Sequence, residues 1–228
     1  MPLPPPVDLR PWFLTQDDLP AGPLDWPAFW SRPPMEASQP NAEPERASAP
    51  VELDVGCGRG LFLLNAALSR PERNFLGLEL SYKEGRRAAR RLQKRNLENA
   101  RVLGGDARRF LRESIAPASV AAVHVYFPDP WWKRRHKKRR VFTADLVGEL
   151  ARILRPHGFL YIRTDVEDYF RLMCDLVERQ CDFASLPIAA DGPAGEAYLT
   201  SFERKARQAG SPIYVASWTR VTNSGQTL

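Results

Sequence analysis

The stretch VELDVGCGRGLFLLNAALS, residues 51–69, decides the fold. It opens with an apolar run of strand length and closes with an apolar helix-length run, and Gly56, Gly58 and Gly60 stand between the two. A strand that passes through a glycine-rich turn directly into a helix is the opening unit of a parallel α/β sheet. The turn then sits at the carboxyl end of the strand, where open sheets bind ligands. Glycine permits the tight turn and lets a ligand approach the backbone closely. The spacing is GxGxG, and Leu61 stands where a dinucleotide fingerprint needs its third glycine to seat a pyrophosphate on the helix.

Working outward, short apolar runs alternate with helical stretches. Strands are predicted at 51–55, 74–80, 100–105, 120–127 and 158–164, with helices near 60–69, 83–97, 107–115, 143–154 and 167–180. A last apolar run at 213–221 follows a long loop and is expected to close the sheet antiparallel. The predicted fold class is therefore α/β and Rossmann-like: a mostly parallel seven-stranded sheet with helices on both faces and an antiparallel C-terminal strand. Two further carboxylates follow at successive strand ends. Glu79 is placed to accept hydrogens from ribose hydroxyls, and Asp106, in Gly105-Asp106-Ala107, is placed to meet the exocyclic amine of adenine. Together with Asp54, Gly56 and Gly58 they make a nucleoside site. A ligand without phosphate but with an amino-acid end, such as S-adenosylmethionine, fits it better than a dinucleotide does.

Ahead of this unit, residues 1–50 hold 13 of the chain's 21 prolines, so long helices and central strands are excluded there. This part reads as an extension and linker to a domain spanning 51–228. Trp12, Phe13, Trp26, Phe29 and Trp30 are too apolar for a solvated tail and are expected to dock on the body, whereas 33–50 reads as a flexible connector. Cys57, Cys174 and Cys181 lack zinc spacing and read as reduced thiols; no metal site is expected. No apolar run reaches the roughly 20 residues of a membrane span and the start lacks signal-peptide character, so a cytoplasmic protein is expected. The formal net charge of +6 fits a polyanionic partner.

Most of that charge is concentrated in one place. The fourth strand ends in Tyr126-Phe127-Pro128-Asp129-Pro130-Trp131-Trp132, and residues 133–140 carry seven cations in eight positions. Pro128 and Pro130 fix their own backbone angles and restrict the residues before them, which holds Asp129 in a rigid turn beside the cofactor cleft. Trp131 and Trp132 offer flat faces for an extruded base. Lys133 follows the turn, and Arg134, Arg135, Lys137, Lys138, Arg139 and Arg140 can neutralise nucleic-acid phosphates. His136 reads as another phosphate contact or a spacer, and His124, within a strand, as core. The cations of helix 83–97 (Arg86, Arg87, Arg90, Arg91, Lys94, Arg95) read as a solvated face.

These residues resemble the bacterial tRNA (guanine-N7-)-methyltransferase family of class I methyltransferases over about residues 51–221. The resemblance rests on six ordered stretches: LDVGCGRG at 53–60, LGLEL at 76–80, GDA at 105–107, FPDPWWKRRHKKRR at 127–140, TD at 164–165 and TSFE at 200–203. It implies methyl transfer from S-adenosylmethionine, with S-adenosylhomocysteine as product, to N7 of a guanosine in the tRNA variable loop. It also implies cofactor contacts from Asp54, Glu79, Asp106 and Asp129, and substrate contacts from Lys133, Asp165, Thr200, Ser201, Phe202 and Glu203. Asp129 is the expected catalytic residue. The partner implied is tRNA, with a monomer or homodimer and no obligate protein partner. The chain departs from the family at Asp54, where Glu is usual, and in its Pro-rich start, where Arg-rich starts are common; DWPAF at 25–29 is similar to a segment found ahead of the sheet in some members. Two rival classes remain at this level: a dinucleotide-dependent oxidoreductase, disfavoured by GxGxG, and a noncatalytic RNA-binding module, disfavoured by the acidic strand ends. A methyltransferase acting on another RNA base or on a small molecule is a third.

Overall fold

The structure, a computed structural model, describes residues 8–31, 43–130, 141–187 and 200–221. In chain order the elements are β1 (Phe13–Thr15), α1 (Trp26–Trp30), α2 (Glu43–Ser48), β2 (Val51–Val55), α3 (Leu61–Ser69), β3 (Asn74–Glu79), α4 (Tyr82–Gln93) and β4 (Ala100–Gly104). They continue as α5 (Ala107–Ser114), β5 (Val120–Tyr126), α6 (Ala144–Ile153), β6 (Leu154–Thr164), α7 (Glu167–Glu178), β7 (Phe183–Ser185), α8 (Ser201–Gln208) and β8 (Tyr214–Arg220). The strands form one sheet in the order β1-β4-β3-β2-β5-β6-β8-β7. Every neighbouring pair from β1 through β6 is parallel, and β8 runs antiparallel to both β6 and β7.

β2 and β5 are buried along their whole length, as parallel strands covered on both faces must be. Several helices start where a short polar side chain accepts an orphan backbone hydrogen. Asp106 caps α5, Thr143 caps α6 and Thr200 caps α8. One face of the sheet carries α3 and α4, whose Phe62, Leu63, Ala88, Ala89 and Leu92 are buried. The other core gathers the buried sides of α5, α6 and α7 around Leu111, Leu150 and Met173. None of the described helices is long and apolar enough to cross a membrane.

Among the described residues the sheet has eight strands where seven were expected, and both three-residue edge strands lie outside the predicted set. β1 comes from the proline-rich extension. Val102 donates its N–H to the Trp12 carbonyl and the Phe13 side chain fills a slot left by two glycines; a Cβ on Gly104 would lie 2.6 Å from the ring and one on Gly85 2.9 Å from it. Trp12, Phe13, Phe29 and Trp30 are buried, as their apolar character predicts, and Trp26 is half-buried. Of the presumed connector, 33–42 lies outside the described residues, but Glu43–Ser48 is a helix, which proline counting did not anticipate. β6 starts earlier than expected, at Leu154, because pairing with β5 shifts between Val120, opposite Leu154, and Ala122, opposite Phe159.

Candidate active site

The glycine turn leaves β2 with three left-handed residues, Gly56, Gly58 and Gly60, at φ of 84, 54 and 67°. Its two sides differ. A Cβ on Gly60 would come within 2.6 Å of the Ala88 Cβ, so the turn is pressed onto α4, whereas a Cβ on Gly56 or Gly58 would meet nothing within 4 Å. The turn therefore presents an open backbone surface at the carboxyl edge of the sheet.

Glu79 closes one side of that surface. One carboxylate oxygen accepts the Gly58 N–H at 2.8 Å and the other accepts the Ser81 N–H at 2.8 Å. Beneath the turn, Asp54 is only 4% exposed; burial, reinforced by the charge of Glu79, pushes its carboxyl up to about 8. Burial likewise raises the Cys57 thiol well above its ordinary value. At the next strand end, Asp106 accepts the Arg108 N–H at 2.9 Å and pairs with the Arg108 guanidinium at 3.4 Å. Partial burial raises its carboxyl, but the bonds from Arg108 outweigh this and hold it below the usual range.

β5 lies directly beside β2, with Asp54 opposite His124, so the FPDP turn, starting at Phe127, begins level with Cys57 in the glycine turn that follows the neighbouring strand. Phe127 takes φ of 50°, unusual for a bulky residue and more so ahead of a proline, and such strain costs on the order of 1–3 kcal/mol. Two contacts hold it there: its N–H donates to the Arg163 carbonyl at 2.7 Å, and its ring stacks on Phe202 at 6.2 Å and 19°. Pro128 is buried and Asp129 is exposed at the rim.

The residues expected to meet substrate take three kinds of position. Asp165 is exposed at the end of β6. Thr200 accepts the Glu203 N–H at 2.9 Å as the cap of α8, Ser201 opens that helix, and Phe202 is 58% exposed over Phe127. Glu203, by contrast, is 1% exposed: one oxygen accepts from Arg163 at 2.7 Å and the other from Arg207 at 2.9 Å. Lys133, Trp131, Trp132, His136 and the cations Arg134, Arg135, Lys137, Lys138, Arg139 and Arg140 lie outside the described residues.

Sequence reading passed over Arg163. It is 3% exposed, ties α8 to β6 through Glu203, and lies with its guanidinium 5.4 Å from the Tyr126 ring. An arginine in the apolar strand GFLYIRT was the available signal, since a buried cation needs a partner. A second buried polar group stiffens the floor of the site. His124, core as expected, bonds to the Tyr126 hydroxyl at 2.9 Å and to Glu52 at 2.8 Å, while Arg70 and Arg73 each donate to Glu52 at 2.8 Å. Burial alone would raise Glu52, but the bond from His124 and the two guanidiniums bring it down to about 2; burial lowers His124 against the opposing pull of Glu52.

Comparison with known proteins accords with this geometry. A family model described as "Putative methyltransferase" matches residues 48–216. A tRNA (guanine-N(7)-)-methyltransferase of Rhodopirellula baltica is 36% identical over 218 residues, covering 92% of this chain and 74% of its own. One from Alkalilimnicola ehrlichii is 37% identical over 196 residues, covering 84% and 81%. Among solved structures, the antibiotic-resistance methyltransferase Kmr superposes with a TM-score of 0.52 over 82% of this chain and 96% of its own at 15% identity, a likeness of fold alone. With a glycine turn, acidic strand ends and an FPDP turn on one edge of such a sheet, the chain belongs to the tRNA (guanine-N(7)-)-methyltransferase family.

Proposed function

We propose that this chain transfers the methyl group of S-adenosylmethionine to N7 of a guanosine in the variable loop of tRNA, releasing S-adenosylhomocysteine. In this reading it acts in the cytoplasm as a monomer or homodimer. One observation carries the proposal: the open glycine turn and the exposed Asp129 leave adjacent strands, β2 and β5, at the same level and on the same edge.

The residues present fit the cofactor. Gly56 and Gly58 leave room for close approach to the backbone, and Glu79 and Asp106 bring acceptors to the ends of adjacent strands β3 and β4, where ribose hydroxyls and an adenine amine donate. When bound, S-adenosylmethionine supplies an electrophilic methyl group. N7 of guanine holds a lone pair and no proton, so the chain need not provide a base. Asp129 accepts the imide and amine hydrogens of the base, which orients N7 towards the cleft, and its charge favours the positive charge that the ring acquires. Phe202 and Phe127 form a flat apolar wall beside Asp129 that limits water. Such positioning lowers a barrier by about 7–11 kcal/mol in the best cases. In this reading Lys133, Asp165 and Thr200 to Phe202 border the base, and the cations of 134–140 hold the flanking phosphates.

The test is a methyl-transfer reaction on total tRNA followed by nucleoside analysis and mapping of the modified position. The expected product is 7-methylguanosine in the variable loop. Methylation of another base, or none, would reject the assignment.

A further inference from the structure

We infer that the outward face of α4 is a second tRNA backbone site, placed across the cofactor cleft from the Asp129 turn. This deepens the reading above and rests on it. The inward face of α4 is fixed by Gly85, Ala88, Ala89 and Leu92, all buried. Positions at 100° per residue from these put Lys83, Arg87, Arg90 and Lys94 in a single row on the opposite side. Lys83, Arg87, Arg90 and Lys94 are all exposed.

The row is only partly neutralised. Several arginines on other helices meet acids of their own helix or its cap: Arg108 with Asp106, Arg109 with Glu113, Arg152 with Glu149 and Arg171 with Glu167. In α4 the only acid is Glu84, shared between Arg87 and Arg59. Among the described residues, Lys83, Arg90 and Lys94 form no ion pair. Like charges three and four positions apart repel along a helix, so this row has a standing cost that only the buried face offsets. A polyanion lying along it would relieve that cost, which is the physical difference from a solvated face.

Length and place fit the same partner. From position 83 to 94 the helix rises about 17 Å, long enough to follow a few successive phosphates of one strand. The row starts beside Ser81, whose N–H is held by Glu79, and so leaves from the rim of the cofactor cleft. Because α4 joins β3 to β4 while the Asp129 turn follows β5, the cleft lies between the two. A tRNA held on both sides would straddle the cleft and present one base to it.

The deciding experiment measures tRNA affinity over a range of salt for the full chain and for a Lys83→Gln, Arg90→Gln, Lys94→Gln triple variant. Loss of three phosphate contacts should weaken binding by about tenfold or more and flatten the slope of log K against log salt by about 2 to 3. S-adenosylmethionine affinity should not move, and the melting temperature should hold or rise, because like charges are removed from the helix. If the triple variant melts lower, Lys94→Glu alone at the helix end is used, and it should still weaken binding and flatten the slope. Unchanged affinity and slope in a variant of an enzyme that methylates tRNA would overturn this site and leave the proposed function standing. If the unaltered chain fails to methylate tRNA, the proposed function itself falls.

Discussion

Removing the carboxylate of Glu203 tests how α8 is held over the FPDP turn. Arg163 and Glu203 are 3% and 1% exposed and their charged atoms lie 2.7 Å apart. In Glu203→Ala the guanidinium stays buried without its principal acid, and breaking a buried pair from one side costs about 3–5 kcal/mol. For a chain of this size, about 2–4 °C accompanies each kcal/mol, so a melting temperature lower by about 6–20 °C is expected. Replacing both partners with apolar residues of similar volume, Arg163→Met with Glu203→Leu, should recover most of the loss, because neither charge is then stranded. Urea unfolding followed by tryptophan fluorescence, applied also to Arg163→Met alone and Glu203→Leu alone, supplies all corners of the double-mutant cycle. A single variant within about 1 kcal/mol of the parent, or a double variant no better than the single, would refute the reasoning. Turnover provides a second readout. If α8 serves to seat Phe202 on Phe127, the double variant should regain activity along with stability, whereas a Glu203 that touches substrate would leave it inactive.

Three further outcomes are expected. Asp129→Asn should keep the fold and lose most methyl transfer, since the residue is exposed and forms no ion pair among the described residues; unchanged turnover would remove it from the mechanism. Asp54, raised from 3.8 to about 8, holds a proton in the folded chain that the unfolded chain releases, so its contribution to stability falls as pH rises from about 4 to 8. Asp54→Asn lacks that titration, so the variant should gain a few kcal/mol on the parent between pH 5 and pH 8.5 in urea unfolding, and an equal difference at both pH values would mean Asp54 is ionised throughout. Phe13→Ala empties the slot over Gly85 and Gly104 and should cost about 3–5 kcal/mol, read by thermal melting; a loss below about 1 kcal/mol would mean that β1 is dispensable.

The parallel core was legible because its strands are continuous apolar runs bounded by glycines and acids. VELDV coincides with β2, and the other long strands differ from their predicted bounds by one residue or so, apart from the early start of β6. The edge strands were not legible. Phe13–Thr15 and Phe183–Ser185 are too short to show a period, and the first pairs only because Gly85 and Gly104, some 70 and 90 positions later, leave room for Phe13. Within the site, glycine and proline chemistry announced both turns, since each constrains its own backbone. What could not be read was partnership across distance: Glu203 looks like a surface acid in TSFE until β6 brings Arg163 beneath it. Similarly, α4 looked like any basic helix until its ion pairs, and their scarcity, were visible.

The docking of β1 on β4 also has a bearing on solubility. Without it, β4 would bound the sheet with a row of unpaired amides and carbonyls backed by apolar side chains, a template onto which another chain can add. A three-residue strand flanked by Pro11 and a Gln16–Asp18 turn offers a neighbour very little to extend. The proline-rich leader thus acts as a stopper on the sheet, and a shortened protein beginning near residue 43 should self-associate even if its catalytic cleft were intact.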